Sequence, residues 1–148
     1  MARVQPPTTG VSAFKEAHDG FNSRDFDALR EKVTGEIVYR DHANGRVFRG
    51  RNEFIVDWLQ AWTTGFSDGR IEDRTYIDSG DTVVALVTAR GTNDGQFGPF
   101  PATGKSAEFR MCEVIRFDGD YRMVAGEVFY DRMTILTQLG HVETSPGT

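Results

Sequence analysis

A few carboxylates and two imidazoles in this chain have the types and spacing that suit proton transfer. Asp131 follows the aromatic pair Phe129-Tyr130 at the end of a strand-like run. A carboxyl at the mouth of an aromatic pocket has its charged form disfavoured by desolvation, which raises its pKa. Such a group can take a proton from a carbon acid and return it to a developing alkoxide, as an intramolecular aldol closure requires. The local alternative is an N-cap, with the Asp131 oxygen on the amide of Met133 or Thr134; the two roles are compatible.

Asp41 and His42 are the second candidate pair. Strand alternation sets Tyr39 and Asp41 on one face and Arg40 and His42 on the other, and either face can line a pocket. A simple bonding role toward the turn at Ala43-Asn44-Gly45 is equally open. His18 lies on an apolar helical stripe between Phe14 and Phe21, as a core imidazole or one that reaches a central pocket. Glu127 shares the parity of Phe129 and Asp131, so all three are expected to face inward. Glu113 shares the parity of Phe109, Met111 and Ile115; turned inward it needs a partner, and turned outward it suits a dimer interface. Cys112 is the one cysteine, with no adjacent His–carboxylate arrangement to make it a nucleophile.

Trp58, Trp62, Phe66, Phe97 and Phe100 are candidate walls for a flat polycyclic substrate, or plain core. Tyr39, Asn93 and Gln96 are candidate hydrogen-bond partners for an enolate oxygen.

These residues need elements to hold them. Val11, Phe14, Ala17, His18 and Phe21 are spaced for one helical face, and Asp25 can cap a second helix carrying Phe26, Leu29 and Val33. A short strand over 36–42 follows, then a helix over 52–62. Strands are predicted over 70–78, 81–92, 105–117 and 122–130, joined by turn-forming clusters such as Asp78-Ser79-Gly80-Asp81 and Asp118-Gly119-Asp120. The stretch 95–104, with Pro99 and Pro101, reads as a long loop at the rim of a site. A last helix runs from Asp131 to its stop at Gly140. Helices first and an antiparallel meander afterwards define an α+β domain whose twisted sheet curls into a cone around the helices. One domain over 11–140 is expected, between flexible tails over 1–10 and 141–148.

Length and composition set the outer bounds. The 148 residues suit one domain, and 39% hydrophobic with 26% charged residues is a globular composition. The longest apolar run, Val83 to Val87, is far short of the roughly 20 residues of a membrane span. Residues 1–10 carry two prolines and no apolar stretch, so no secretory leader is expected and the cytosol is the default location. A net charge of −5, with the 17 basic residues scattered, gives no stripe for nucleic acid. No metal-ligating cluster and no phosphate-cradling loop is legible, so no cofactor is expected.

The segment from Gly91-Thr92-Asn93-Asp94-Gly95-Gln96-Phe97 to Pro101-Ala102-Thr103-Gly104-Lys105 resembles the "GTHxGxF…PPTGr" stretch of SnoaL-like proteins. Val128 to Gly140, with Asp131 and Gln138-Leu139-Gly140, is similar to their closing strand and "D…QLG" helix. Gly65-Phe66-Ser67-Asp68 falls where such chains read "AFPD". The resemblance spans residues 11 to 140 and implies the nuclear transport factor 2-like cone, a fold of polyketide cyclases, ketosteroid isomerases, epoxide hydrolases and non-catalytic members. It implies that Asp131 is the general acid and base of a cofactor-free cyclase acting on a polyketide-like substrate, and it favours a homodimer. It also departs from the family: Asn93 stands where a histidine is usual, and His42 where the isomerase branch has proline. Epoxide opening is the alternative chemistry, although Thr92 follows Arg90-Gly91 where limonene-type enzymes carry a second Asp. A binder without turnover is the alternative class.

Overall fold

The computed structural model describes residues 7–143. Thr9 opens helix α1 (Gly10–Ser23) through a reciprocal cap: its hydroxyl accepts from the Ser12 amide at 3.0 Å, and Ser12 Oγ accepts from the Thr9 amide at 3.1 Å. The residues before Pro7 and after Glu143 lie outside the described part, and with them most of both expected tails. Of the rest of the first ten residues, Gly10 is already buried in the helix. Arg24 closes α1 in the left-handed region (φ 63°), and its guanidinium donates to the carbonyls of Ser67 and Gly69.

Asp25 caps α2 (Phe26–Glu31) as expected, accepting from the Ala28 amide. Val33 does not extend that helix; it opens strand β1 (Val33–Asp41), whose inward residues are Val33, Ile37, Tyr39 and Asp41. A four-residue strand, β2 (Arg46–Arg49), has no counterpart in the sequence reading. The next helical run is three pieces: α3 (Gly50–Asn52), a π-helical stretch (Glu53–Leu59) and α4 (Gln60–Gly65). Its wider i→i+5 turn brings both Phe54 and Leu59, five residues apart, onto the cavity side with Trp58.

Strands β3 (Arg70–Ser79), β4 (Thr82–Thr92), β5 (Ser106–Phe117) and β6 (Met123–Tyr130) form the expected antiparallel meander, and α5 (Arg132–Gln138) closes the chain. The six-stranded sheet runs β2-β1-β6-β5-β4-β3. One pair departs from the antiparallel expectation: β1 runs parallel to β6, because it enters the sheet from the helices instead of from a hairpin. The concave face of this curved α+β sheet takes the apolar stripe of α1 and the 50–65 helices, and its alternating residues form one core.

Gly126 sits where three strands crowd, paired with Tyr39 on β1 and Ile115 on β5. A Cβ there would lie 2.6 Å from Ile115 Cδ1 and 2.7 Å from the Tyr39 ring, which is fully buried. Gly126→Ala is therefore expected to destabilise the fold by about 1–3 kcal/mol, the usual cost of overpacking, read as a lower urea midpoint.

Candidate active site

Inside the cone lies a cavity of about 80 Å³. One water needs about 10–15 Å³ on this measure, so there is room for several waters or for a flat ring in a narrow slot. Its walls are almost wholly apolar: Phe14, Phe21, Phe54, Trp58, Leu59, Trp62, Phe66, Phe109, Met111 and Ile115. Ring pairs pack them together, with Trp58 to Trp62 at 5.4 Å and Trp62 to Phe109 at 5.8 Å. Arg70 and Arg90 mark the mouth, where both are solvent-exposed; Arg90 is engaged there by Glu72, Asp73 and Glu108. A polar hollow shares Arg70, Arg90 and Gly91 with the cavity and extends toward Asp68, Thr92, Ser106, Glu108 and Gln138.

Two ionisable side chains stand in the apolar wall, His18 from α1 and Glu113 from β5. His18 Nε2 lies 2.9 Å from Glu113 Oε1, with side-chain exposures of 7% and 14%. Tyr39 Oη donates to Glu113 Oε2 at 3.2 Å, and His18 Nδ1 lies 2.7 Å from Tyr76 Oη. The result is one chain of polar groups, Tyr76–His18–Glu113–Tyr39, contributed by β3, α1, β5 and β1. It satisfies a carboxyl that the apolar wall would otherwise leave unsolvated. Burial, and then the Glu113 charge, push the Tyr39 hydroxyl well above its ordinary pKa. Burial takes Tyr76 up to about 12, partly offset by Arg74. Both phenols therefore remain donors at neutral pH.

The other sequence candidates fall in different places. Asp131 is fully exposed and caps α5, accepting from the Thr134 amide at 3.2 Å and the Thr134 hydroxyl at 2.8 Å. These bonds hold its pKa below the ordinary carboxylate value, which corrects the expected rise. Glu127 and Phe129 also face outward, since the inward parity of β6 belongs to Gly126, Val128 and Tyr130. His42 lies on the same outer face, stacked on Phe129 at 4.5 Å and bonded to Glu127 at 2.8 Å.

Tyr39 and Asp41 are the pair that turns inward. Asp41 is 1% exposed, yet its oxygens are taken by the amides of Ala43 and Asn44, the Asn44 side chain and the Tyr130 hydroxyl. Burial and the neighbouring Asp41 raise the Tyr130 pKa. The Asp41 carboxylate thus anchors Tyr130 against Trp58, Trp62 and Phe109.

Asn93 is fully buried but structural: Nδ2 donates to the carbonyls of Gly65 and Gly95, and Oδ1 accepts from the Thr103 amide. Gln96 is exposed and donates to the Gly98 carbonyl. Neither is placed to meet a ligand oxygen in the cavity. Phe97 backs the wall behind Trp62 and Phe66, at 5.2 and 5.4 Å, whereas Phe100 packs on His141. Tyr76 was missed as a polar residue; its strand position carries no motif, and only its place opposite α1 reveals it. No group of three or more His, Cys, Asp or Glu residues suited to a metal occurs among the described residues. No described helix is long and apolar enough to cross a membrane.

A family model described as SnoaL-like polyketide cyclase matches residues 11–139. The chain therefore belongs to the SnoaL-like polyketide cyclase family. IdmH of Streptomyces antibioticus, a proposed polyketide cyclase, is 26% identical and superposes with a TM-score of 0.76 over 88% of this chain and 98% of its own. A SnoaL-like protein of Jannaschia sp. CCS1 is 19% identical, with a TM-score of 0.81 over 97% and 99% of the two chains. A Catenulispora acidiphila protein with a ketosteroid isomerase-like fold, solved with trimethylamine, is 20% identical, with a TM-score of 0.71 over 86% and 92%. No curated protein matches the chain.

The cap assignment for Asp131 has a signed pH dependence. Its folded pKa is depressed, so the stability it contributes is present above its unfolded value of about 3.9 and is lost as pH falls through the folded value. Asp131→Ala is expected to melt earlier than wild type at pH 7, with the gap narrowing below pH 4 in thermal melts. Asp131→Asn, an equally good cap, is expected to stay close to wild type at pH 7.

Proposed function

We propose that this protein is a cofactor-independent cyclase or isomerase that moves a proton on a flat, largely apolar carbonyl compound, with Glu113 as the acid–base group. The observation that carries this reading is the Glu113–His18 pair, a buried imidazole on a part-buried carboxyl, in the wall of an otherwise apolar aromatic cavity. Membership of a family of polyketide cyclases supports it. Glu113 takes a proton from the carbon beside a carbonyl and returns it to the alkoxide formed as the ring closes, or to another carbon in an isomerisation. The aromatic walls hold the reacting groups of one molecule together, which lowers the entropic barrier. The substrate class is polycyclic or polyketide-like, in keeping with a slot walled by Trp58, Trp62, Phe66 and Phe109.

The reading moves the acid–base role from Asp131, Asp41 and His42 to Glu113. Asp131 is tied to a helix end, Asp41 has its acceptors filled, and His42 lies on the outer face. A homodimer in the cytosol belongs to the same proposal. Its second copy would cover the outer sheet face, where Phe129 and Val47 are 45% and 38% exposed. Epoxide opening is less well supported, because Arg90 is engaged by three carboxylates at the mouth.

The test is exchange of the α-protons of a flat bicyclic ketone such as 2-tetralone in D2O, followed by proton NMR. Wild type is expected to accelerate exchange, Glu113→Gln to lose about 10²–10⁴-fold of that acceleration, and Asp131→Asn to stay within about twofold. Loss in the Asp131 variant with Glu113→Gln active would return the role to Asp131. A wild type that binds the ketone without exchanging it would be a binder.

A further inference from the structure

The acid–base reading leaves Tyr76 without a role, although it completes the polar chain. It reaches His18 from β3, on the far side of the imidazole from Glu113, and does not line the cavity. Its ring is held by Phe14, edge-on at 5.7 Å, and by the Lys15 ammonium at 5.7 Å.

Proton positions along the chain are constrained. An ionised Glu113 only accepts, so Tyr39 Oη–H and His18 Nε2–H both donate to it. His18 Nδ1 then has two options. It is bare and accepts from Tyr76, with the imidazole neutral, or it is protonated and donates to the Tyr76 oxygen, with the imidazole a cation. The charged groups around Tyr76 favour the first. The Arg74 guanidinium, itself bonded to Asp19 at 2.8 Å, faces the phenol oxygen and Lys15 lies over the ring. The guanidinium draws the oxygen lone pairs toward itself, which turns the O–H toward Nδ1 and leaves that nitrogen an acceptor. On its other sides His18 meets the Phe14 ring, stacked at 4.5 Å, and Glu113.

Resting on the acid–base reading of Glu113, we propose that Tyr76 is a positioning residue that holds His18 neutral with its proton on Nε2. The consequence lies at Glu113. A cation in contact with a carboxylate makes it a weaker base, whereas a neutral donor orients it and leaves it the single charge of the inner wall. The hydroxyl of Tyr76 thus fixes the tautomer of the imidazole that orients a carboxylate it does not touch.

The test is nitrogen-15 NMR of the histidine rings in the full chain at pH 7.5, with His18 assigned by its loss in His18→Gln. The wild-type ring is expected to show one protonated nitrogen, Nε2, and one bare, hydrogen-bonded nitrogen, Nδ1. Tyr76→Phe keeps the ring and its packing and removes one hydrogen bond, so the ratio of Nε2–H to Nδ1–H tautomer is expected to fall about fivefold. A wild-type His18 protonated on both nitrogens, or on Nδ1 alone, overturns the proposal, and so does an unchanged ratio in Tyr76→Phe. If that variant fails to fold, the wild-type spectrum decides alone. No ligand enters this measurement, so its failure is separate from a failure of ketone exchange, which would remove the role of Glu113 itself.

Discussion

A carboxylate in an apolar wall is the constraint around which this molecule is arranged. Moving Glu113 out of water carries a penalty that only close donors can offset, and two are supplied: His18 Nε2 at 2.9 Å and Tyr39 Oη at 3.2 Å. Those donors come from α1 and β1, which lie at the start of the chain, while β5 lies near its end. The strand order β2-β1-β6-β5-β4-β3 brings them together, with β6 as a spacer between β1 and β5. The spacer must be thin where the Tyr39 ring crosses it, and Gly126 is there. The glycine follows from that requirement, a phenol from one strand reaching a carboxylate two strands away.

Sheet alternation then separates two chemistries. On the inner face are Tyr39, Asp41, Glu113 and Tyr130, each with its polar atoms satisfied inside the protein. On the outer face, His42, Glu127 and Phe129 form a solvent-accessible cluster with its own ion pair and ring stack. Asp131 belongs to neither. It stands one residue past the end of β6, where the chain turns into α5, and its oxygens are spent on the first turn of that helix. Asp41 and Asn93, both buried, likewise spend their polar atoms on nearby backbone, the first in a turn after β1 and the second in the 93–104 loop. Burial alone does not make a polar residue reactive; Glu113 differs because it stands in the wall of a cavity.

Much of the architecture was legible because the meander strands alternate cleanly and are bounded by Asp-Gly and Asn-Asp-Gly turns, and because Asp25, Asp131 and Gly140 punctuate the helices. The family resemblance rested on the loop from Gly91 to Lys105 and on the Asp131–Gly140 ending. β2 was missed because Arg46-Val47-Phe48-Arg49 is too short to show a period, and the parallel β1–β6 register depends on contacts 80 to 90 residues apart. The site was harder to read. Phe129 suggested that its parity on β6 faced the core, but the small residue Gly126 marked the inward row instead. Glu113 shared the parity of Phe109, Met111 and Ile115, which left an inward direction open beside an outward one at a dimer interface. What the chain could not show was the pair of partners that makes that direction tolerable, since His18 and Tyr39 are 95 and 74 residues away.

The central claim is that a substrate oxygen and its adjacent carbon meet Glu113 inside the aromatic slot. A crystal structure with a flat bicyclic phenol such as 2-naphthol, whose oxygen stands in for that of an enolate, tests it most directly. The account expects the rings against the wall formed by Trp58, Trp62 and Phe109, with the phenol oxygen within hydrogen-bond reach of the Glu113–His18 pair. A phenol seated instead beside Asp131, or in the polar hollow outside Arg70 and Arg90 with the inner cavity empty, would contradict it.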